Sequence, residues 1–344
     1  MLSTLSATVY LSALNYLTMQ LYQRSLLNAQ LFNVKESFVN RIRTTLITAI
    51  APVVWGTTYL VTSEFLPTGH PLFAGLMRAL PAGILAIVWT RALPQGSWWW
   101  RSAVLGILNI GAFFPLLFIS AYRLPGGIAA TLGAAQPLIV ALLVVWVLRE
   151  RFSAWRLLWG AVGMVGVALV VLRSTAVLDT IGLVAGLLGA VSMACGVTLT
   201  KKWGRPAGIP ALSLAGWQLT AGGLFLLPIT LLFEGIPSHL GLTALAGYLW
   251  LGLAGGLLSY TLWFTGVGKL PVASVAALGL LSPLVAASLG ALILGQDLEA
   301  WQWVGFGLAL VAIFAGQVAP RRRTSDEPCA DNDDSSRAVT GVLS

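Results

Sequence analysis

Residues 124–143 read "LPGGIAATLGAAQPLIVALL", and residues 270–289 read "LPVASVAALGLLSPLVAASL". A shift of 146 residues lays Leu124-Pro125 on Leu270-Pro271, Leu132-Gly133 on Leu278-Gly279, and Pro137-Leu138 on Pro283-Leu284. The same shift carries Leu105-Gly106 onto Leu251-Gly252, Arg123 onto Lys269 and Trp155 onto Trp301. Matches of Leu and Ala mean little in so apolar a chain. The shared Pro, Trp and basic positions mean more, and they mark an internal duplication.

Composition says where such a duplicated chain resides. Of 344 residues, 57% are hydrophobic and 9% charged, and the mean hydropathy is +0.85. Soluble domains carry about 25% charged residues, so this chain is read as a polytopic membrane protein. The net charge of +8 does not point to nucleic acid, because the basic residues sit singly or in small groups between apolar runs. Apolar stretches long enough to cross about 30 Å of hydrocarbon fall near 44–63, 72–90, 102–121, 125–147, 155–172, 180–200, 210–232, 242–266, 271–294 and 300–318. Ten helices in two halves give five per half. An odd number inverts the second half in the membrane, and inverted repeats characterise secondary transporters.

Basic residues orient the chain. With the amino-terminal side of the first span cytoplasmic, that side collects Arg41, Arg43, Arg91, Arg101, Arg149, Arg151, Lys201, Lys202 and Arg321–Arg323, among others. The opposite side receives Arg123 and Arg173. Both termini are therefore expected in the cytoplasm. The chain divides into an amino-terminal cytoplasmic or interfacial segment, 1–43, two five-helix repeats, 44–172 and 173–319, and a disordered cytoplasmic tail, 320–344. For 1–43 an interfacial helix and a start codon placed too far upstream are both open readings. An eleventh span or a signal peptide fits less well, since no basic region precedes the apolar part.

Paired Pro-interrupted spans point to a transporter's binding site. Proline lacks the N–H that would bond the carbonyl four residues back, so Pro137 frees the carbonyl of Gly133 and Pro283 that of Gly279. Gln136 and Ser282 directly precede the two prolines. Packing kinks satisfied by neighbouring helices are the plain alternative.

The order and spacing of these features resemble the EamA branch of the drug/metabolite transporter (DMT) superfamily. The features are "WGTTYL" in the first span, an Arg in the second, and "LGAAQPL…LRER" and "LGLLSPL…LGQD" around the fourth and ninth. The string "VVWGTTYLVTSEFLP", residues 53–67, is similar to PecM-type members of that branch. The resemblance covers roughly 44–318. It implies an all-α DMT fold in a bacterial inner membrane and export of small metabolites such as amino acids. It also implies a central cavity lined largely by the first, third, fourth, sixth, eighth and ninth spans. One departure is visible: the family often has Gly-Glu after the ninth span, whereas Gly295 is followed by Gln296 and Asp297.

Polar and aromatic side chains inside the spans are few enough to weigh singly. Trp55, Thr58 and Tyr59 lie in the first span, Asn109 and Phe113 in the third, Gln136 in the fourth and Ser192 in the sixth. Tyr260 and Trp263, three apart on one helix face, lie in the eighth, and Ser282 in the ninth. They offer aromatic walls, hydroxyls and two carboxamides, a lining suited to a small neutral, zwitterionic or aromatic solute. For each, an interhelical hydrogen bond or core packing is the competing role. Every Asp and Glu falls at a span end or in a tail, so a coupling ion is left open.

Arg78 is the exception to this uncharged interior. At 1.5 Å per residue from Pro71 it lies about 10 Å deep, where insertion costs roughly 2.5–3.5 kcal/mol. Pairing with Glu64, at the adjacent end of the first span, would offset that cost, and contact with a substrate carboxylate is the alternative. The repeat equivalent of Arg78 is Gln218, uncharged.

Other classes fit less well. His70 and His239 are the two histidines, both in loops, and no nucleophile or metal spacing occurs, so neither catalysis nor a cofactor or metal is expected. A membrane-embedded metabolite sensor or regulator without transport is the alternative function. Its discriminator is a cytoplasmic output domain, which the sequence does not supply.

Overall fold

The structure, a computed structural model, describes residues 2–123, 132–171, 179–294 and 299–318. Leu124-Pro125, Arg173, Gln296, Asp297 and the tail 320–344 lie outside them, as does the side chain of Tyr59. The described chain is helical: α1 (Leu2–Gly56), α2 (Thr58–Phe65), α3 (Pro71–Thr90), α4 (Trp98–Gly106), α5 (Phe113–Arg123), α6 (Gln136–Val147), α7 (Ala154–Val171), α8 (Thr180–Trp203), α9 (Ala211–Phe233), α10 (Leu242–Leu249), α11 (Ser259–Lys269), α12 (Val272–Leu278), α13 (Leu281–Leu294) and α14 (Ala300–Gln317). Two π-helical segments, Ile107–Gly111 and Trp250–Leu258, join α4 to α5 and α10 to α11.

Eight of the described stretches are long and apolar enough to cross a membrane. They coincide with the first to third and sixth to tenth of the expected spans. Gln136–Val147 and Ala154–Val170, at the fourth and fifth, are apolar but shorter. The protein is an all-helical polytopic membrane protein. Large apolar side chains such as Trp89, Trp146, Phe233 and Leu292 stand exposed, which suits a surface solvated by lipid rather than water. The division expected near residue 43 falls inside α1, which is unbroken from Leu2 to Gly56. The first break instead comes at Thr57, whose N–H and hydroxyl both donate to the Val54 carbonyl.

Helix pairing follows the duplication. α3 packs along α9 and α7 along α14, each the second or fifth span of one half against its counterpart. α5 packs on α8 while α1 packs on α11, two contacts that exchange when the halves are exchanged. Lipid gives helices little hydrophobic reason to associate, so close backbone approach carries the packing. At Gly83 a Cβ would sit 2.4 Å from the backbone nitrogen of Thr220; only glycine lets α3 and α9 meet there.

The loops alternate between two ends of the bundle, designated here by Gly69 and Gly204. At the Gly69 end both carboxylate oxygens of Glu234 accept from the first N–H groups of α3, Leu72 (2.7 Å) and Phe73 (2.8 Å). A carboxylate satisfies the orphan donors of a helix start and complements its dipole. At the Gly204 end the Lys201 ammonium donates to the carbonyls of Gly268 (3.1 Å) and Leu270 (2.9 Å). Nearby, Ser274 donates to Gly316 (2.9 Å) and the Trp155 indole to Ala315 (3.0 Å).

Candidate functional site

Both Pro-bearing spans are interrupted where the sequence places the interruption. Leu132 and Gly133 are helical, Ala134 and Ala135 form a turn, and α6 restarts at Gln136 with Pro137 in its first turn. In the second half α12 stops at Leu278 and α13 begins at Leu281. One detail departs from expectation. The Gly279 carbonyl accepts the Ser282 N–H at 3.1 Å, a tighter i→i+3 bond that replaces the one proline removes.

The two breaks face one cavity of about 390 Å³. Gly133, Gln136 and Pro137 line it from the first half, and Gly279, Ser282 and Pro283 from the second. Trp55 and Thr58 contribute from either side of the Thr57 break, Phe113 from α5 and Tyr260 from α11. A Cβ on Gly133 would meet nothing within 4 Å among the described residues, and that glycine lines the space. Gly56 explains the Trp-Gly pair of the first span. A Cβ there would lie 2.5 Å from Val285 Cβ and 2.8 Å from the Ser282 carbonyl oxygen. Its absence lets α1 press on α13 and fixes Trp55 beside the second break.

Behind this lining, the π segments supply acceptors. A π turn displaces the regular i→i+4 ladder and occurs often at functional sites. The Gly255 carbonyl accepts both the Trp55 indole N–H (2.9 Å) and Arg78 Nη2 (3.1 Å). The repeat counterparts behave alike: Leu108 accepts the Ser192 hydroxyl (2.8 Å) and Asn109 the Tyr260 hydroxyl (3.3 Å). Trp55 packs on Tyr260 and Trp263 at ring separations of 5.2 and 5.0 Å.

Three expected lining residues therefore serve packing instead. Ser192 is committed to the Leu108 carbonyl. Asn109 is fully buried, its amide donating to Gln218 (2.8 Å) and Thr200 (3.4 Å) across the interface of the halves. Trp263 is fully buried behind Trp55. The expected Glu64–Arg78 pair is also corrected. Among the described residues the ion pairs are Arg123–Asp179 (3.4 Å) and Arg156–Glu150 (2.7 Å). Glu64 is exposed and accepts from Ser63 (3.3 Å), while Arg78 is buried and turned inward. It reaches Thr58 Oγ1 (3.4 Å) and Gly255, with its Cζ 5.0 Å from the Phe114 ring centroid. Arg78, the exception to the uncharged interior, lines the cavity.

Sequence reading missed Thr62, Ser120 and Met193, which also line the cavity, together with the small-residue face of α8 at Gly186, Gly189 and Ala190. Gly186 carried a signal within Gly182-x-x-x-Gly186. A Cβ there would meet Ser120 Oγ at 2.7 Å.

Comparison with known proteins agrees with this architecture. The profile of the EamA-like transporter family matches residues 43–172 and again 180–315. Protein PecM of Dickeya dadantii is 50% identical over 255 residues, 74% of this chain and 86% of that protein. The Probable amino-acid metabolite efflux pump of Salmonella typhimurium is 27% identical over 286 residues, 79% of this chain and 94% of the pump. A solved crystal structure with a TM-score of 0.65 and 21% identity, covering 79% of this chain and 96% of its own, shares the fold. On the strength of a profile matched once by each half and of the PecM relative, this chain belongs to the EamA-like transporter family, and it is a multi-pass membrane transporter rather than an enzyme.

Proposed function

We propose that the protein exports small metabolites, amino acids or related neutral, zwitterionic or aromatic compounds, by alternating access through the cavity between its two broken spans. One observation carries the reading: the Gly133–Pro137 and Gly279–Pro283 breaks, far apart in sequence, line the same space. Irregular backbone at membrane depth is tolerated where it lines a cavity, and substrate sites of repeat-built transporters lie where the repeats meet. The lining runs to Pro67 and Thr68 at the Gly69 end, while Lys201 ties the Gly204 end. Such an asymmetry is what one of two alternating conformers would have, and it supports the reading. The efflux pump of S. typhimurium supports an amino-acid-related substrate.

Residues 44–172 and 173–319 are taken as the two inverted repeats, in a bacterial inner membrane with the Gly204 end and both termini cytoplasmic. Purified protein in proteoliposomes preloaded with unlabelled amino acids, aromatic acids or peptides should show saturable counterflow of the labelled compound. Gln136→Leu and Ser282→Ala should each raise the half-saturating concentration several-fold at unchanged protein yield. Binding without counterflow across the panel would favour the sensor alternative and sink the transport reading of the cavity.

A further inference from the structure

We propose that the solute this cavity selects carries a net negative charge on an organic body, and that Arg78 and Thr58 receive its anionic group, a carboxylate or a like acceptor. This rests on reading the cavity as the substrate site; within that reading it favours anionic aromatic compounds over the neutral and zwitterionic ones.

The argument starts from the polar inventory of the wall. Arg78 is the one charged side chain among the described lining residues. Its guanidinium is oriented by groups behind the wall: Nη2 donates to the Gly255 carbonyl at 3.1 Å, and Cζ lies 5.0 Å from the centroid of the buried Phe114 ring. The guanidinium lies flat against this backbone: a Cβ on Gly255 would be in ordinary contact with Nη2 and Cζ, at 3.5 and 3.6 Å. Nη1 stands 3.4 Å from the hydroxyl of Thr58, which also lines the cavity. A planar guanidinium held this way at the cavity wall is fixed in orientation, the arrangement that suits a carboxylate.

The rest of the wall points the same way. Gln136 Nε2, Thr62 Oγ1 and Ser120 Oγ line the space and have no hydrogen-bond partner among the described residues. The amide nitrogen can only donate, and hydroxyls can donate. Ser120 is 1% exposed, so its unmet donor lies in the wall rather than in bulk solvent. A buried donor left unmet is costly, and an acceptor-rich guest satisfies several at once. An ammonium group finds no carboxylate among the described lining residues. The other walls, Trp55, Phe113, Leu117, Met193 and Tyr260, suit a flat apolar body. The volume of about 390 Å³ lies at the small end of ligand pockets.

The test compares three probes of one shape: 3-phenylpropionate, its amide and phenylalanine. Their affinities are read by intrinsic tryptophan quenching of purified wild type in detergent. The carboxylate should bind about tenfold or more tightly than the amide, the ratio that one charge-assisted hydrogen bond supplies. Phenylalanine should bind no more tightly than 3-phenylpropionate. Arg78→Gln should bring the carboxylate-to-amide ratio near one, and Arg78→Lys should retain part of it. Because Arg78→Gln also removes buried bonds that support the fold, Thr58→Val provides a second variant expected to reduce the ratio several-fold. Equal affinity for acid and amide in wild type, tighter binding of phenylalanine, or no binding of any probe would overturn the proposal. So would a ratio that survives Arg78→Gln. Counterflow of the bound acid is scored separately. Its absence with the charge preference intact would leave anion recognition standing and refute transport.

Discussion

Gly56 and Gly133 are glycines one turn or less from a helix break, yet their surroundings predict opposite responses to a methyl group. Alanine in a helix is favoured over glycine by about 1 kcal/mol. At Gly56 that gain is outweighed. The new Cβ would meet Val285 at 2.5 Å and the Ser282 backbone at 2.8 Å, and overpacking of this kind costs about 1–3 kcal/mol. Gly56→Ala should lower the melting temperature of the purified protein and displace Trp55. At Gly133 a Cβ would meet none of the described residues within 4 Å, so Gly133→Ala should fold with equal or higher stability and still reduce transport, because the residue lines the cavity. Normal transport by Gly133→Ala would remove that glycine from the substrate path. Arg78 shows what residue-scale reading reaches. Its depth and its cost were legible from position alone. Its partners were not, because Gly255 lies 177 residues away and its carbonyl is available only where the helix adopts a π turn.

Elements repeat the lesson with a different boundary. The breaks in the fourth and ninth spans were legible because proline removes a donor at a definable carbonyl. The break at Thr57 and the two π segments were not, since Ile107–Gly111 and Trp250–Leu258 read as ordinary apolar helix. Nothing in their composition forces the extra residue per turn; tertiary partners for the displaced carbonyls do. The same knowledge tempers the effect of removing a proline. Helix propensity alone assigns Pro283→Ala a gain of about 3 kcal/mol. The Gly279 carbonyl already accepts the Ser282 N–H, so the gain should be a fraction of that. A modest rise in melting temperature with a fall in counterflow is expected. Unchanged counterflow would assign the ninth-span break to packing alone.

At the scale of the molecule the duplication was the most legible feature, and it foretold pairings no single span reveals. α3 meets α9 and α7 meets α14, the pairing of like spans that two-fold related halves would produce. The side of the membrane on which each end lies follows from charge asymmetry and is open to direct test. In a Cys195→Ala, Cys329→Ala background, a cysteine in the loop near Gly69 should react with an impermeant maleimide in intact cells, and one near Gly204 should not. Reversed labelling would invert the proposed direction of transport. At the Gly204 end the Lys201 ammonium, which is not among the lining residues, spans the carbonyls of Gly268 and Leu270. If the two ends open in turn, as proposed, and these bonds belong to the conformer closed at the Gly204 end, they would act as a thermodynamic weight on the resting population. Even about 1.4 kcal/mol held there would be worth a tenfold ratio between conformers. A ligand arriving from the Gly69 end engages only the molecules already open to it, so its apparent affinity is scaled by their share. Lys201→Met should therefore weaken binding of such a ligand several-fold while leaving every group that touches it in place, and should render the Gly204 end accessible to cysteine labelling in the absence of any ligand.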